Sequence, residues 1–207
     1  NGNITINNGT FTLVTGDDGM HADAALTING GAVTIPTSYE GLESAVITIN
    51  AGDINVTSSD DGINVAGGAD GSGAMAGPGR GGRGQGGPGA PSSETFTYTG
   101  SYYLYINGGT ITVNAGGDGL DANGAIEMNG GLVVVNGPTE QMNGALDYDG
   151  TFNISGGTLI AVGSAGMAQA PSAGSTQSSV LMGVGNQTAG TLIDIQNDAG
   201  ESLMTLD

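Results

Sequence analysis

Four short motifs set acidic or amide side chains around a glycine in the same pattern: Asp18-Gly19-Met20-His21, Glu40-Gly41-Leu42-Glu43, Asp61-Gly62-Ile63-Asn64 and Asp118-Gly119-Leu120-Asp121. A frayed fifth copy reads Glu140-Gln141-Met142-Asn143, and Asp17, Asp23, Asp60 and Asn123 stand beside the motifs. Carboxylate, amide and backbone carbonyl oxygens are the ligands of a hard divalent cation such as calcium, which takes them at about 2.3–2.6 Å. A single histidine and no cysteine argue against zinc or copper. Metal chemistry then requires that motifs far apart in the chain meet in space.

The elements that would bring them together are legible in a second signal. Turns ending in glycine, at Gly9, Gly31, Gly52, Gly109, Gly131 and Gly157, fall 22, 21, 57, 22 and 26 residues apart, and the motifs keep phase with them. A period in this range marks a solenoid. On either side of each turn apolar residues alternate: Ile4/Ile6 and Phe11/Leu13, Leu26/Ile28 and Val33/Ile35, Ile47/Ile49 and Ile54/Val56, Leu104/Ile106 and Ile111/Val113, Ile126/Met128 and Val133/Val135, Phe152/Ile154 and Leu159/Ala161. Period two is the mark of strands with one face inward. With the third apolar position inside each motif, the pattern predicts an all-β chain wound as a parallel β-helix of about six coils. Asparagine precedes most of the turn glycines, tolerates left-handed backbone, and in a stack would form an amide ladder.

Residues 1–163 read as coils. Within them Gly67 to Gly100 is a Gly/Pro-rich insertion that carries the chain's two basic side chains, Arg80 and Arg83. Deleting about 35 residues from the long gap restores the period, so the insertion is expected to project between coils three and four. Residues 164–207 read as a loop followed by a three-strand meander over Val180–Val184, Thr191–Ile195 and Ser202–Leu206. That meander would cap the last coil within the same domain, because solenoid ends expose strand edges.

In-register coils put equivalent residues about 4.8 Å apart. Asp18, Glu40, Asp61, Asp118 and Glu140 then form one column, and His21, Glu43, Asn64, Asp121 and Asn143 a second. Neighbouring carboxylates repel by about 1 kcal/mol in water and several times more where water is excluded. The coils hold no lysine or arginine to compensate. Protonation would need strongly raised pKa values; a cation midway between two ladder oxygens is the simpler answer. The expected ligands for several calcium ions are Asp17, Asp18, Glu40, Glu43, Asp60, Asp61, Asn64, Asp118, Asp121 and Asn123, with His21 a turn residue. A solvated acidic turn is the alternative.

A net charge of −18 repels nucleic acid and anionic lipid, and no apolar run approaches the length of a membrane span. The chain opens on Asn1 inside a repeat, which reads as a mature or trimmed product. Tyr105-Ile106-Asn107-Gly108-Gly109-Thr110-Ile111, Gly117-Asp118-Gly119-Leu120-Asp121, Asn136-Gly137-Pro138-Thr139, Asn143-Gly144-Ala145-Leu146-Asp147-Tyr148 and Gly166-Met167-Ala168-Gln169-Ala170-Pro171 together resemble a bacterial carbohydrate-binding, polysaccharide-lyase-like β-helix family of clostridial type. The resemblance implies a right-handed, extracellular parallel β-helix that binds calcium and polysaccharide, cellulose and acidic pectic chains included, without cleaving it.

The resulting expectation is a secreted or cell-surface, non-enzymatic polysaccharide-binding protein, with Tyr102, Tyr103 and Tyr148 as candidates to stack on a flat sugar polymer. A lyase would need a basic group, and lysine is absent. A hydrolase needs only a carboxyl pair such as Asp118/Asp121 or Asp60/Asp61. A third possibility is a fibre subunit that self-associates head to tail through its β-helix ends.

Overall fold

A computed structural model describes residues 2–66, 101–188 and 190–206. Nearly every alternating segment becomes a strand. The chain winds through β1 (Asn3–Ile6), β2 (Thr10–Val14), β3 (Met20–Ile28), β4 (Ala32–Thr37), β5 (Leu42–Ile49), β6 (Asp53–Ser58) and β7 (Ile63–Val65). It continues through β8 (Tyr103–Ile106), β9 (Thr110–Ala115), β10 (Leu120–Ala122), β11 (Ala125–Met128), β12 (Leu132–Asn136), β13 (Leu146–Tyr148), β14 (Phe152–Ile154) and β15 (Thr158–Val162). Every pairing among these strands is parallel. They make a large sheet containing β1, β3, β5, β7, β8, β10, β11, β13 and β14, and a smaller one in the order β15-β12-β9-β6-β4-β2. The result is a parallel β-solenoid of about six coils.

Each coil places its apolar residues against the same residues of its neighbours. Ile6, Ile28, Ile49, Ile106, Met128 and Ile154 occupy one register position across six strands, and all are buried. Each such side chain removed from water contributes about 1.5–3 kcal/mol, so the interior column is the main source of cohesion.

Two corners close each coil. At the first, Gly9, Gly31, Gly52, Gly109, Gly131 and Gly157 all have φ between 89° and 122°, a region that side chains rarely adopt. The asparagines beside them form the expected ladder. The amides of Asn29, Asn50, Asn107 and Asn129 each donate to the Oδ1 of the preceding rung at 2.8–2.9 Å, and the Ser155 hydroxyl ends the row on Asn129. An amide is both donor and acceptor, so it pairs with copies of itself without frustration.

The second corner is the acidic motif, where glycine is needed for space. A Cβ on Gly62 would lie 2.1 Å from Val113 Cγ1 and 2.6 Å from the Gly119 carbonyl oxygen.

The segment 67–100 separates β7 from β8, yet both pair with β5: Leu42 with Ile63, and Val46 with Tyr103. The solenoid thus resumes in the same coil on either side of it. The expected projection of that segment lies outside the described residues.

Three expectations are corrected. Val180–Val184 forms no strand, so the three-strand meander is a two-strand antiparallel hairpin, β16 (Ile193–Gln196) with β17 (Ser202–Leu206). The outer edge of β14 is covered by the preceding loop instead: Ser172 N–H bonds the Phe152 carbonyl at 2.7 Å, the Thr176 N–H bonds that of Ile154, and the Ser172 and Ser175 hydroxyls accept from the Phe152 and Ile154 N–H groups. Serine supplies these bonds without a regular strand. Finally, the fifth motif is misphased. Leu120 pairs with Leu146, so the extra residues of the last repeat are absorbed in the turn before β13. Met142 is not a core residue but 81% exposed, and Glu140 and Asn143 leave their columns.

Substituting Gly62→Ala is expected to overpack this corner and lower unfolding stability by about 1–3 kcal/mol. Gly16→Ala, where an added Cβ meets nothing within 4 Å, should be neutral by the same urea titration.

Candidate metal centre

The acidic corners stack as rungs. Gly19, Gly41 and Gly62 donate their N–H groups to the carbonyls of Glu40, Asp61 and Asp118 at 2.8–3.0 Å, which superimposes Asp18, Glu40, Asp61 and Asp118. Sheet register aligns the second column as His21, Glu43, Asn64, Asp121 and Asp147. The columns are not two independent rows, because their side chains turn toward each other. The Asn64 amide donates to Glu40 Oε2 at 3.0 Å. His21 Nδ1 contacts Glu43 Oε2 closely and Asp18 Oδ2 at 3.4 Å. Asp61 and Asp121 share a hydrogen bond, and Asp61 Oδ1 also accepts the Asp118 N–H at 2.7 Å. Gln169 closes the second column with an amide bond to Asp147 Oδ1 at 2.8 Å.

Burial makes this arrangement costly for negative charge. Glu43 is fully buried, Glu40 is 4% exposed and Asn64 6%. Burial first, then the nearby carboxylates Glu43, Asp18 and Asp61, pushes Glu40 up to about 8. Asp118 rises to about 6, chiefly through burial. Burial, then the repulsion among the neighbouring carboxyls, raises both Asp61 and Asp121 well above the ordinary carboxylate range. Burial opposes the charged form of His21, but Glu43 and Asp18 outweigh it and raise its pKa. In the first coils, then, the Glu43 and Asp18 carboxyls favour the protonated imidazole of His21; further along, burial and mutual repulsion favour protonated carboxyls.

Among the described residues, two groups have the donor geometry for a cation. Asp18, His21 and Glu43 bring one ligand atom each within 4.8 Å of one another, as do Asp61, Asp118 and Asp121. The second group is all carboxylate, the donor set of calcium. Two buried oxygens, Asp18 Oδ1 and Asn64 Oδ1, have no hydrogen-bond partner. A buried acceptor left unmatched costs about 1–3 kcal/mol, and a cation is the partner that such oxygens fit. Of the other expected ligands, Asp17 is exposed. Asp60 receives the Tyr39 hydroxyl, whose pKa is driven to about 12 mainly by that bond. Asn123 follows β10 with its N–H on the Val65 carbonyl, and neither it nor Asp17 nor Asp60 belongs to the two groups. His21, expected as a turn residue, lies within the first group, and Asp147 and Gln169 extend the second column. The repeat of Leu146 with Leu120 was the signal that could have found Asp147.

The tyrosines divide by environment. Tyr102 is half-buried and packs against the core. Tyr148 donates its hydroxyl to the Ala170 carbonyl at 2.6 Å and meets Phe152 edge-on, so it fastens the cap. Tyr103 lies parallel to Tyr105, with ring centroids 5.4 Å apart.

Residues 1–75 match the model of a family described as carbohydrate-binding domain-containing protein. The matched region includes the first three copies of the acidic motif. No curated protein and no solved structure matches the chain.

The raised carboxyl pKa values give a testable sign. A carboxyl that holds its proton more tightly when folded stabilises the fold below its folded pKa, and this stability is lost as pH rises from the ordinary value through the raised one. His21 acts in the same direction. In chelator, the melting temperature is therefore expected to fall between pH 5 and pH 8, and added calcium should remove most of that fall. A profile that is flat or rises across this window would contradict the assignment.

Proposed function

We propose that this chain is a non-catalytic module that binds acidic polysaccharide outside the cell through calcium held at the stacked acidic corners. The observation that carries the reading is the coincidence of two features in the same coils. The region matching a carbohydrate-binding family model contains Asp18 and Asn64, whose buried oxygens lack partners. A chain of net charge −18 approaches a uronate polymer only if cations intervene. Asp18 and Glu43, and separately Asp61, Asp118 and Asp121, would hold them. Calcium supplies a hard, oxygen-seeking centre of positive charge with room for ligands from outside the protein.

Spacing supports binding rather than hydrolysis. Glycoside hydrolases keep their carboxyls about 5–5.5 or 6.5–9.5 Å apart so that a sugar or water fits between them. Asp61 and Asp121 instead hydrogen-bond to each other directly, with no room for a sugar or water between the bonded oxygens.

One observation favours a second reading, a self-assembling subunit. Among the described residues β15 pairs only with β12, and an edge without a paired strand is one to which a strand of another copy could add.

Retention on polygalacturonate should require calcium and be abolished by chelator. Asp121→Asn should weaken calcium binding by tenfold or more, whereas Asp198→Asn, at an exposed position, should leave it unchanged. Shortened or unsaturated products in the supernatant would overturn the non-catalytic reading. Sedimentation of large species without polymer would favour the second one.

A further inference from the structure

We propose that the corner formed by Asp18, His21 and Glu43 prefers a transition-metal dication of the zinc class over calcium, and so differs in ion preference from the all-carboxylate group at Asp61, Asp118 and Asp121. This rests on the reading of the acidic corners as metal sites and assigns one of them a different ion.

The second column offers oxygen donors at every rung but one. Glu43, Asn64, Asp121 and Asp147 follow His21 in register, and His21 alone brings a nitrogen. Imidazole is a ligand of zinc, copper, iron and nickel, whereas calcium takes oxygen. A single histidine argues against zinc where it stands alone. Here it converges with two carboxylates, one ligand atom of each lying within 4.8 Å of the others.

The ring is oriented as a metal ligand would be. Nδ1 faces the carboxylates, close to Glu43 Oε2 and 3.4 Å from Asp18 Oδ2. Nε2 faces Asp23 Oδ1 at 3.6 Å, and the Gly2 N–H holds the other oxygen of that carboxylate at 3.1 Å. A histidine that binds metal through one nitrogen commonly turns its other N–H toward a carboxylate, which fixes the tautomer and strengthens the donor. Asp23 is placed for that role.

Asp18 gives an independent sign of a ligand. Its side chain is 6% exposed, and its Oδ1 is buried with no hydrogen-bond partner. The contact with His21 is through Oδ2, so it leaves Oδ1 unmatched, and a cation in this corner would match it. Zinc bonds of about 2.0–2.2 Å in a tetrahedron keep neighbouring donors about 3.3–3.6 Å apart. The separation of Asp18 Oδ2 from His21 Nδ1 already fits that spacing, and only the Glu43 oxygen has to withdraw. Three protein ligands leave a fourth position for water or for a group from outside.

The test titrates zinc alone, and calcium separately, into the whole chain after treatment with chelator. One equivalent of zinc should bind at least tenfold more tightly than calcium. Cobalt(II) in place of zinc should give the strong visible absorption of a four-coordinate site. His21→Asn gives this rung the residue type found at Asn64, and should lower zinc affinity tenfold or more and abolish the cobalt absorption. Asp23→Ala, at an exposed position, should weaken zinc about tenfold without touching a ligand. Zinc binding undiminished in both variants, or zinc displaced by an equal concentration of calcium, overturns the preference and leaves the calcium reading standing. A chain that binds zinc through His21 and takes up no calcium supports this site and overturns the calcium reading. A chain that binds neither ion overturns both.

Discussion

In a parallel solenoid each residue's nearest neighbours are its own counterparts in the coils above and below, about 4.8 Å away. Every position must therefore be compatible with a copy of itself. Aliphatic side chains meet this condition by packing, and the column from Ile6 to Ile154 does so with little polar interruption. Asparagine meets it because an amide can donate upward and accept from below, as the corner ladder does. Carboxylates fail it. Their repetition in the other corner is the feature that the rest of the fold does not explain, and the protein meets it with an imidazole at His21, amides at Asn64 and Gln169, and a hydrogen bond between Asp61 and Asp121 with raised pKa values on both. These devices ease the repulsion in the absence of metal and leave oxygen clusters that a divalent cation fits.

The corner glycines belong to the same constraint. At the asparagine corner they permit positive φ; at the acidic corner they let backbone pass over aliphatic side chains with no room for a Cβ. At that corner the two rows turn toward each other, with Glu40, Glu43 and Asn64 buried and Asp18, Asp61, Asp118 and Asp121 half-buried. Burial is what raises the carboxyl pKa values, and it also concentrates the field that a bound cation would relieve.

Much of this was legible in the residue order because periodicity is a strong signal. Glycine and asparagine at fixed intervals located the first corner, and alternation located the strands and their inward faces. Phase errors arose where the period changed. The long last repeat drew Glu140 and Asn143 into the columns and hid Asp147, whose place follows from the pairing of Leu146 with Leu120. The involvement of His21 could not be deduced from spacing, since it depends on how the side chains of two columns converge. The tyrosines could not be sorted by spacing, since only the bond of Tyr148 to the Ala170 carbonyl shows that its hydroxyl is spent on the cap. The meander was overread because an apolar run such as Val180–Val184 carries no information about whether a partner strand is within reach.

The central claim is that the stacked carboxyls exchange protons for a divalent cation. Calorimetric titration of calcium at pH 7, repeated in two buffers of different ionisation enthalpy, measures this directly. The account predicts saturable binding whose apparent enthalpy differs between the buffers, because protons are released as carboxyl groups become ligands. Absence of saturable heat, or binding with no proton released, would contradict it.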